Sequence, residues 1–233
     1  MPDLNRIYQE QPERYAELVA HEDYERNLLP AINAIVPVAG LDIVESGAGT
    51  GRITAQLAPL ARNLFAFDLS TPMLKTASTT LRLGRFAAAD HRALPLPNAC
   101  ADLIISGWSV CMLVVNYHET WQAQVTQTLH EFRRVLRPGG TIILIENQGT
   151  GAEKPQGHPN LDPYYAFLES RGFTSTWTRT DLKFASEAQA HALIGFFFGE
   201  EMAANLVAQY GIMVPECTGL WWKQEAGSKN HES

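Results

Sequence analysis

The chain has 233 residues, of which 45% are hydrophobic and 18% charged, with a formal net charge of -7 at pH 7. One α/β domain of ordinary size accounts for this length, and a second full domain would be hard to fit. The acidic balance argues against nucleic acid and against an anionic membrane as partners, because such surfaces are bound through many Lys and Arg side chains.

The beginning of the chain, MPDLNRIYQEQPERY, lacks a basic segment followed by an apolar core, so no secretory leader is predicted. The longest apolar run, residues 101–115, is interrupted by small polar residues and is too short to cross a bilayer. The three cysteines are widely spaced and match no metal-binding pattern. We therefore expect a cytoplasmic protein without a metal site, and we leave open whether it is a monomer or a homodimer.

In chain order, residues 3–35 come first, and their aromatic and aliphatic residues are spaced among charges as in two or three helices. From residue 40 the pattern changes, because short apolar runs of strand length alternate with helix-length segments. The runs lie at 41–44, 64–67, 86–89, 103–105 and 141–145. This alternation predicts a mostly parallel α/β sheet with helices on both faces.

The best-defined helix is predicted in VTQTLHEFRRVLRPGG, where apolar residues recur on one face from Val125 to Leu136. Arginines crowd its last turn, and Pro138 followed by two glycines predicts its end. We interpret these arginines as a solvated face that complements the helix dipole.

Beyond this helix we predict a mobile loop at 149–163 and then a helix that ends near residue 171. A long strand at 173–184, a helical insertion at 186–210 and a last strand at 217–223 follow. The predicted organisation is a single domain in four parts. Residues 1–38 form a helical cap, 39–148 the ligand-binding core, 149–224 the substrate-side elements and last strands, and 225–233 a flexible tail.

The stretch IVESGAGTGRIT, residues 43–54, has three glycines at alternate positions directly after the first predicted strand. Glycines in such a loop let a ligand approach the backbone closely, since no Cβ is in the way. The dinucleotide fingerprint G-x-G-x-x-G would need its third glycine at Arg52, whereas the spacing here is G-x-G-x-G. The pattern therefore counts against an NAD-dependent dehydrogenase, which we keep as a less favoured alternative.

Each of the first three predicted strands ends near a carboxylate, namely Glu45, Asp68 and Asp90. Open parallel sheets bind ligands at the carboxyl ends of their strands. Glu45 would repel a pyrophosphate but suit a cationic ligand. Asp68 stands where a carboxylate can accept hydrogen bonds from both hydroxyls of a ribose.

Four segments occur in this order between residues 41 and 146: ESGAGTG, FDLSTPMLKTA, AADHRALPLPNACADLIISGWS and HEFRRVLRPGGTIILIE. They resemble the successive motifs of class I S-adenosylmethionine-dependent methyltransferases, especially the broad small-molecule group that includes ubiquinone-pathway C-methyltransferases. The resemblance implies a Rossmann-like sheet of seven strands with an antiparallel last strand, N-terminal helices and a helical insertion before the last strand. It also implies S-adenosylmethionine as the cofactor and S-adenosylhomocysteine as the product.

By position, the resemblance assigns a role to each part of the cofactor site. Glu45 and the glycine loop would hold the methionine end, and the loop residues are Gly47, Ala48, Gly49, Thr50 and Gly51. Asp68 would bind the ribose, with Leu69 and Met73 flanking the adenine. The adenine edge would meet Ala89, Asp90 and His91, and the methyl-transfer face would be lined by Ser106, Gly107 and Trp108. The family usually has a hydrophobic residue where this chain has Ser46.

Methyl transfer is an in-line displacement at a sulfonium, so positioning matters more than any fixed catalytic side chain. Aromatic faces can stabilise the sulfonium, and the candidates are Tyr8, Tyr15 and Trp108. An acceptor that loses a proton gains from a base, for which the sequence offers His118, Tyr117, Glu146 and His21 without favouring any over a structural role.

The segments outside the shared motifs are rich in aromatics and poor in clustered charges. They favour a small, partly apolar molecule as the methyl acceptor. The main alternative to an enzyme is a non-catalytic module that binds the cofactor or its product and acts through a partner.

Overall fold

The computed structural model describes residues 2–81 and 85–227. Its strands, in chain order, are β1 (Asp42–Ser46), β2 (Asn63–Asp68), β3 (Arg85–Ala88), β4 (Ala101–Gly107), β5 (Leu136–Thr150), β6 (Thr174–Arg179), β7 (Leu182–Lys183), β8 (Met213–Val214) and β9 (Glu216–Gln224). Seven of them form one sheet in the order β3-β2-β1-β4-β5-β9-β6, and β7 pairs with β8 in a separate ribbon.

The first five strands of the sheet run parallel, and β9 is antiparallel to both β5 and β6. This confirms the predicted Rossmann-like sheet with its antiparallel last strand. Strands β1, β4 and β5 read as continuous apolar runs because both faces of the sheet centre are covered by helices.

The helices of the described residues are α1 (Leu4–Glu10), α2 (Pro12–Val19), α3 (Leu28–Ile35), α4 (Arg52–Leu57), α5 (Thr71–Thr80), α6 (Cys111–Asn116), α7 (Trp121–Val135), α8 (Asp162–Ser170), α9 (Glu187–Phe198) and α10 (Glu200–Tyr210). The first three confirm the predicted N-terminal helices, and α9 with α10 confirms the helical insertion before the last strand.

Each face of the sheet has its own apolar core. On one face, α7 buries Val125 and Phe132 against Ile104 of β4. On the other face, α3 and α4 bury Ile32 and Ile53 in a second cluster. A third cluster joins α2 to the helical insertion. The sheet is therefore held rigidly between helices, and its strand ends are free to carry a site.

The helix predicted up to Leu136 ends one residue earlier. Leu136 has an extended backbone, φ -69° and ψ 141°, and begins β5, so Pro138 lies in a strand and does not stop the helix. The arginines at the end of this helix are partly exposed, and they form ion pairs that were not predicted. Arg134 pairs with Glu131, and Arg137 pairs with Asp102.

The long strand predicted at 173–184 is divided into β6 and β7. The chain turns between them because Arg179 and Asp181 form an ion pair and the Thr180 N–H donates to the carbonyl of Glu216. From residue 228 onward, the predicted flexible tail lies outside the described residues. The division into four parts remains a prediction.

Two further observations concern the described ranges, 2–81 and 85–227. They contain no helix long and apolar enough to cross a membrane. Within the same ranges, no three side chains of the metal-ligating types lie close enough together to hold an ion. Cys100, Cys111 and Cys217 are free thiols.

Candidate functional site

A cavity of about 320 Å³ lies at the carboxyl ends of β1, β2 and β4, under helices α1 and α2. Most of the residues that the resemblance assigned to the cofactor line it: Glu45, Gly47, Ala48, Gly49, Thr50, Asp68, Leu69, Met73, Ala89, Asp90, His91, Gly107 and Trp108. Gly51 and Ser106 do not. Gly51 packs against Leu81 at the start of α4, and Ser106 is buried within β4.

The glycine loop turns sharply because Gly47, Gly49 and Gly51 all have positive φ, at 82°, 54° and 88°. Its amides are used within the fold. The N–H groups of Gly47 and Ala48 donate to the Phe67 carbonyl at 2.7 and 2.8 Å, and that of Gly51 donates to the Ala48 carbonyl at 2.9 Å. Phosphate-binding loops instead direct their N–H groups at the ligand, so this loop is not arranged for a pyrophosphate.

Asp68 ties the glycine loop to the end of β2. One carboxylate oxygen accepts from the Gly49 N–H at 2.8 Å, and the other accepts from the Ser70 N–H at 2.7 Å. Burial raises the pKa of Asp68 above its ordinary value, although these backbone hydrogen bonds oppose the rise. Each oxygen keeps a further lone pair, so the carboxylate can also accept from ligand hydroxyls in the cavity.

Glu45 is a buried carboxyl group on the cavity wall. Its Oε2 accepts from the Thr54 hydroxyl at 2.5 Å, and burial raises its pKa to about 8. Among the ion pairs of the described residues, none involves Glu45 or Asp68. A cationic ligand group beside Glu45 would supply the missing counter-charge and favour its ionised form.

Asp90 and His91 follow β3 and have different surroundings. Asp90 accepts from Arg92 at 2.8 and 2.5 Å, and this pairing lowers the pKa of Asp90. The two ring nitrogens of His91 meet two serines, with Ser46 Oγ at 2.6 Å from Nδ1 and Ser109 Oγ at 2.9 Å from Nε2. The departure of Ser46 from the family pattern therefore has a structural reason, because its hydroxyl is the partner of His91.

Of the four candidate bases, Tyr117 alone is among the residues that line the cavity. Glu146 is buried elsewhere, where it accepts from the Tyr164 hydroxyl at 3.0 Å, and burial raises its pKa to about 7. His21 packs on Phe184. His118 is exposed at the surface. The structure thus does not bring these four together.

Several cavity residues were not predicted to line it: Asn5, Gln9, Arg52, Arg92, Ser109, Met112, Leu113 and Asn116. Arg52 directly follows the glycine loop, so its position in the sequence was a usable indication. Its guanidinium lies 3.7 Å from the centre of the Trp108 ring and forms an ion pair with Glu22. One face of Trp108 is therefore covered by Arg52, whereas Tyr8 and Tyr15 line the cavity as predicted.

A sheet of this order, with its cavity at the carboxyl ends of β1 and β2 and a glycine loop between them, defines the class I methyltransferase fold. Comparison with known proteins supports this assignment of the fold. Residues 44–144 match a family model described as "Methyltransferase domain". The fold is that of the class I S-adenosylmethionine-dependent methyltransferases, and the matched segment is of the methyltransferase-domain family.

Among curated proteins, the chain is 30% identical over 152 residues to the malonyl-[acyl-carrier protein] O-methyltransferase of Pectobacterium atrosepticum. That match covers 64% of this chain and 54% of the relative, so the chain spans about half the length of that protein.

Two solved structures show the same fold. The YcgJ protein of Bacillus subtilis matches with a TM-score of 0.56 at 14% identity, covering 88% of this chain and 100% of that one. Phosphoethanolamine N-methyltransferase 2 of Haemonchus contortus, solved with S-adenosylhomocysteine, matches with a TM-score of 0.63 at 13% identity, covering 95% of this chain and 60% of that one.

Proposed function

We propose that the protein transfers a methyl group from S-adenosylmethionine to a small, partly apolar acceptor and releases S-adenosylhomocysteine. The observation that carries the proposal is a pair of carboxyl groups on one cavity, the buried Glu45 and the partly buried Asp68, neither of which pairs with Lys or Arg in the described residues. A ligand with an ammonium group at one end and ribose hydroxyls further along matches this pair.

The glycine loop separates this proposal from a dehydrogenase. A nicotinamide dinucleotide needs free loop amides for its pyrophosphate, and three of these amides already donate to backbone carbonyls. S-adenosylmethionine has no phosphate and makes no such demand. We therefore do not favour NAD.

In the proposed mechanism, S-adenosylmethionine supplies a methyl group on a positively charged sulfur that is already a good leaving group. Asp68 accepts from the ribose hydroxyls, Glu45 offsets the ammonium charge, and Met73 and Leu69 flank the adenine. Helices α1 and α2 cover the cavity, and the Ser70 hydroxyl fixes α1 by donating to the Tyr8 carbonyl at 2.9 Å. These contacts would fix the methyl carbon relative to the acceptor side of the cavity, and the two helices would exclude water.

The acceptor is proposed to lie against the part of the cavity wall that is formed by segments outside the shared methyltransferase motifs. The side chains there are mostly apolar or uncharged, and they include Tyr8, Tyr15, Met112, Leu113 and Asn116. The name of the curated relative also justifies a malonyl thioester among the acceptors to be tested.

The test is transfer of label from S-adenosylmethionine labelled in its methyl group. Purified protein would be incubated with phenols, aliphatic alcohols, amines, carboxylic acids and a malonyl thioester, and labelled products and S-adenosylhomocysteine would be measured. We expect label in one acceptor class, and slower transfer by Asp68→Ala when S-adenosylmethionine is below saturation. Binding of S-adenosylhomocysteine with no transfer to any acceptor would instead support the non-catalytic module.

A further inference from the structure

A continuous hydrogen-bonded chain runs along the cavity wall through Ser46, His91 and Ser109. The Ser46 hydroxyl lies 2.6 Å from His91 Nδ1, and the Ser109 hydroxyl lies 2.9 Å from Nε2. The three residues come from the end of β1, from the loop after β3 and from the turn between β4 and α6. Both ring nitrogens of a single imidazole are therefore committed to hydroxyl groups.

Ser109 places these hydrogen bonds at the end of the cavity where methyl transfer is proposed to occur. It lines the cavity directly after Trp108, and its Oγ lies so close to Gly47 that a Cβ at that glycine would overlap it. The same loop is proposed to hold the methionine end of the cofactor. The resemblance placed His91 at the adenine edge, but its ring also lies close to the glycine loop, since a Cβ at Gly47 would come 3.1 Å from His91 Cε1. In the proposed function the Ser109 hydroxyl would therefore lie near the methionine end of the cofactor, which carries the methyl group.

The other ionisable groups on this wall are already engaged. Asp90 pairs with Arg92, and Glu45 and Asp68 serve the cofactor in the proposed function. Among the described residues that line the cavity, His91 is thus the base that neither forms an ion pair nor has a role toward the cofactor in the proposed function. Burial lowers its pKa to about 4, so the ring is neutral at pH 7 and one of its nitrogens is unprotonated.

We propose that Ser109 and His91 take the proton from an acceptor that reacts through an O–H or N–H group. This inference rests on the proposed methyl transfer. As the acceptor atom forms its bond to the methyl carbon, the sulfur–carbon bond breaks and its electron pair returns to sulfur. The acceptor proton moves to Ser109 Oγ while the proton of Ser109 moves to His91 Nε2, and Nδ1–H of the resulting imidazolium donates to Ser46.

The charge balance of the site supports this route. Methyl transfer removes one positive charge from sulfur, and proton transfer creates one on His91, so the net charge of the enclosed site is conserved. The charged groups near the ring are Asp90, which favours the imidazolium, and Arg92, which opposes it. From the other packed elements the ring meets Ser46, Ser109 and Phe132, none of which is charged near pH 7.

The first test needs no acceptor. The relay requires Nε2 to be the unprotonated nitrogen, and ¹⁵N chemical shifts of histidine distinguish the two tautomers. Protein labelled with ¹⁵N-histidine would be measured at pH 7 with S-adenosylhomocysteine bound, and His91→Gln would identify the signal. We expect the Nδ1–H tautomer. An Nε2–H tautomer, or an imidazolium at pH 7, would overturn the relay while leaving the proposed methyl transfer intact.

The second test compares acceptors that do and do not lose a proton. For a hydroxyl acceptor that the protein methylates, Ser109→Ala and His91→Gln should lower kcat at least tenfold, within the usual contribution of a positioned base. In Ser109→Ala the KM for S-adenosylmethionine should stay within twofold. Calorimetry with S-adenosylhomocysteine confirms that each variant is folded.

The pH dependence of kcat distinguishes proton transfer through Ser109 and His91 from a purely structural role of their hydrogen bonds. In the unaltered protein kcat should be flat above about pH 5, since His91 is then unprotonated. In Ser109→Ala it should rise with pH, because the acceptor must then lose its proton to water. A parallel loss at all pH values, or transfer confined to carboxylate acceptors with no effect of Ser109→Ala, would contradict the proposal.

Discussion

The two ends of strand β1 carry carboxylates in opposite electrostatic conditions. At the amino end, Asp42 accepts from Arg62 at 2.9 Å and from Arg137 at 2.9 Å, and these contacts hold the pKa of Asp42 well below its usual range. At the carboxyl end, Glu45 accepts from Thr54 and forms no ion pair among the described residues, and burial raises its pKa to about 8. The charge of Asp42 is therefore neutralised by arginines of the fold, whereas Glu45 has no counter-charge among the described residues.

This difference has a consequence for stability. Because the pKa of Glu45 is raised on folding, its contribution to stability is fully present below about pH 4.5 and is lost as pH rises through about 8. Asp42 behaves in the opposite sense, since its pKa is lowered on folding. An uncompensated buried carboxyl group lowers stability at neutral pH, and such groups concentrate at ligand sites.

The largest effect should come from breaking the close approach at the ligand end. In Gly47→Ala the new Cβ would overlap Ser109, at a residue whose φ of 82° already disfavours a side chain. We expect affinity for S-adenosylhomocysteine, measured by calorimetry, to fall by roughly 100-fold, or about 3 kcal/mol. Gly139→Ala is the matched control because Gly139 also has φ 82° but open space around its Cβ. Equal losses in both variants would attribute the effect to backbone strain alone.

Removing a ligand-end carboxylate should have the next largest effect. Asp68→Ala should weaken S-adenosylhomocysteine binding by roughly 1 to 3 kcal/mol, because the ribose hydroxyls lose their acceptor and the Gly49 N–H loses its partner. The matched change at the other end of the sheet is Asp102→Ala, which removes a partner of Arg137. That variant should bind with unchanged affinity. Unchanged affinity in Asp68→Ala would remove this residue from the site.

Proton release should distinguish Glu45 from other buried acids. At pH 7 its carboxyl is mainly protonated, and a cationic ammonium favours the ionised form, so binding of S-adenosylhomocysteine should release close to one proton. Affinity should rise with pH up to about 8, by at most tenfold per unit. Calorimetry in buffers of different ionisation enthalpy counts the protons.

Two variants test that assignment. Glu45→Gln should abolish the release, whereas Glu146→Gln should preserve it. The Glu146 pKa is similarly raised, to about 7, but its side chain lies outside the lining of the cavity. Release that disappears in Glu146→Gln and persists in Glu45→Gln would contradict the placement of the ammonium.

The smallest effect should follow a change at the amino end of β1. Because folding lowers the pKa of Asp42, its carboxylate stabilises the fold above about pH 4. This contribution is lost as the pH falls through the pKa that Asp42 has in the folded state. Asp42→Asn should therefore lower stability at pH 7 by about 1 kcal/mol or less, because its partner Arg62 is largely exposed. Urea unfolding at pH 7 and at pH 3 measures the difference, which should shrink at pH 3. A larger loss at pH 3 would contradict the sign.

The sheet could be predicted from the sequence because its strands are short apolar runs separated by helices. Two predicted element boundaries were wrong, and each error has a local cause. Leu136 continues the apolar face of α7 and yet begins β5, so periodicity alone could not locate the end of the helix. The ion pair of Arg179 with Asp181 divides what reads as one alternating strand.

The part of the cavity wall that the resemblance assigned to the cofactor could be predicted for a different reason. Its residues follow β1, β2, β3 and β4, which are neighbouring parallel strands of one sheet, so a motif after each strand predicts that the residues meet at one edge of the sheet. The opposite wall is assembled from α1, α2 and α6, which are distant in sequence, and no local pattern indicates that Tyr8 and Met112 share a cavity. The Ser46–His91–Ser109 chain is missed likewise, since three segments must meet before its hydrogen bonds exist.

Binding of S-adenosylmethionine rather than a dinucleotide is tested most directly by calorimetric titration of the unaltered protein with S-adenosylhomocysteine and, separately, with NAD. We expect saturable binding of S-adenosylhomocysteine at one site per chain, with proton release at pH 7, and no heat of binding with NAD. Saturable binding of NAD without binding of S-adenosylhomocysteine would contradict this expectation.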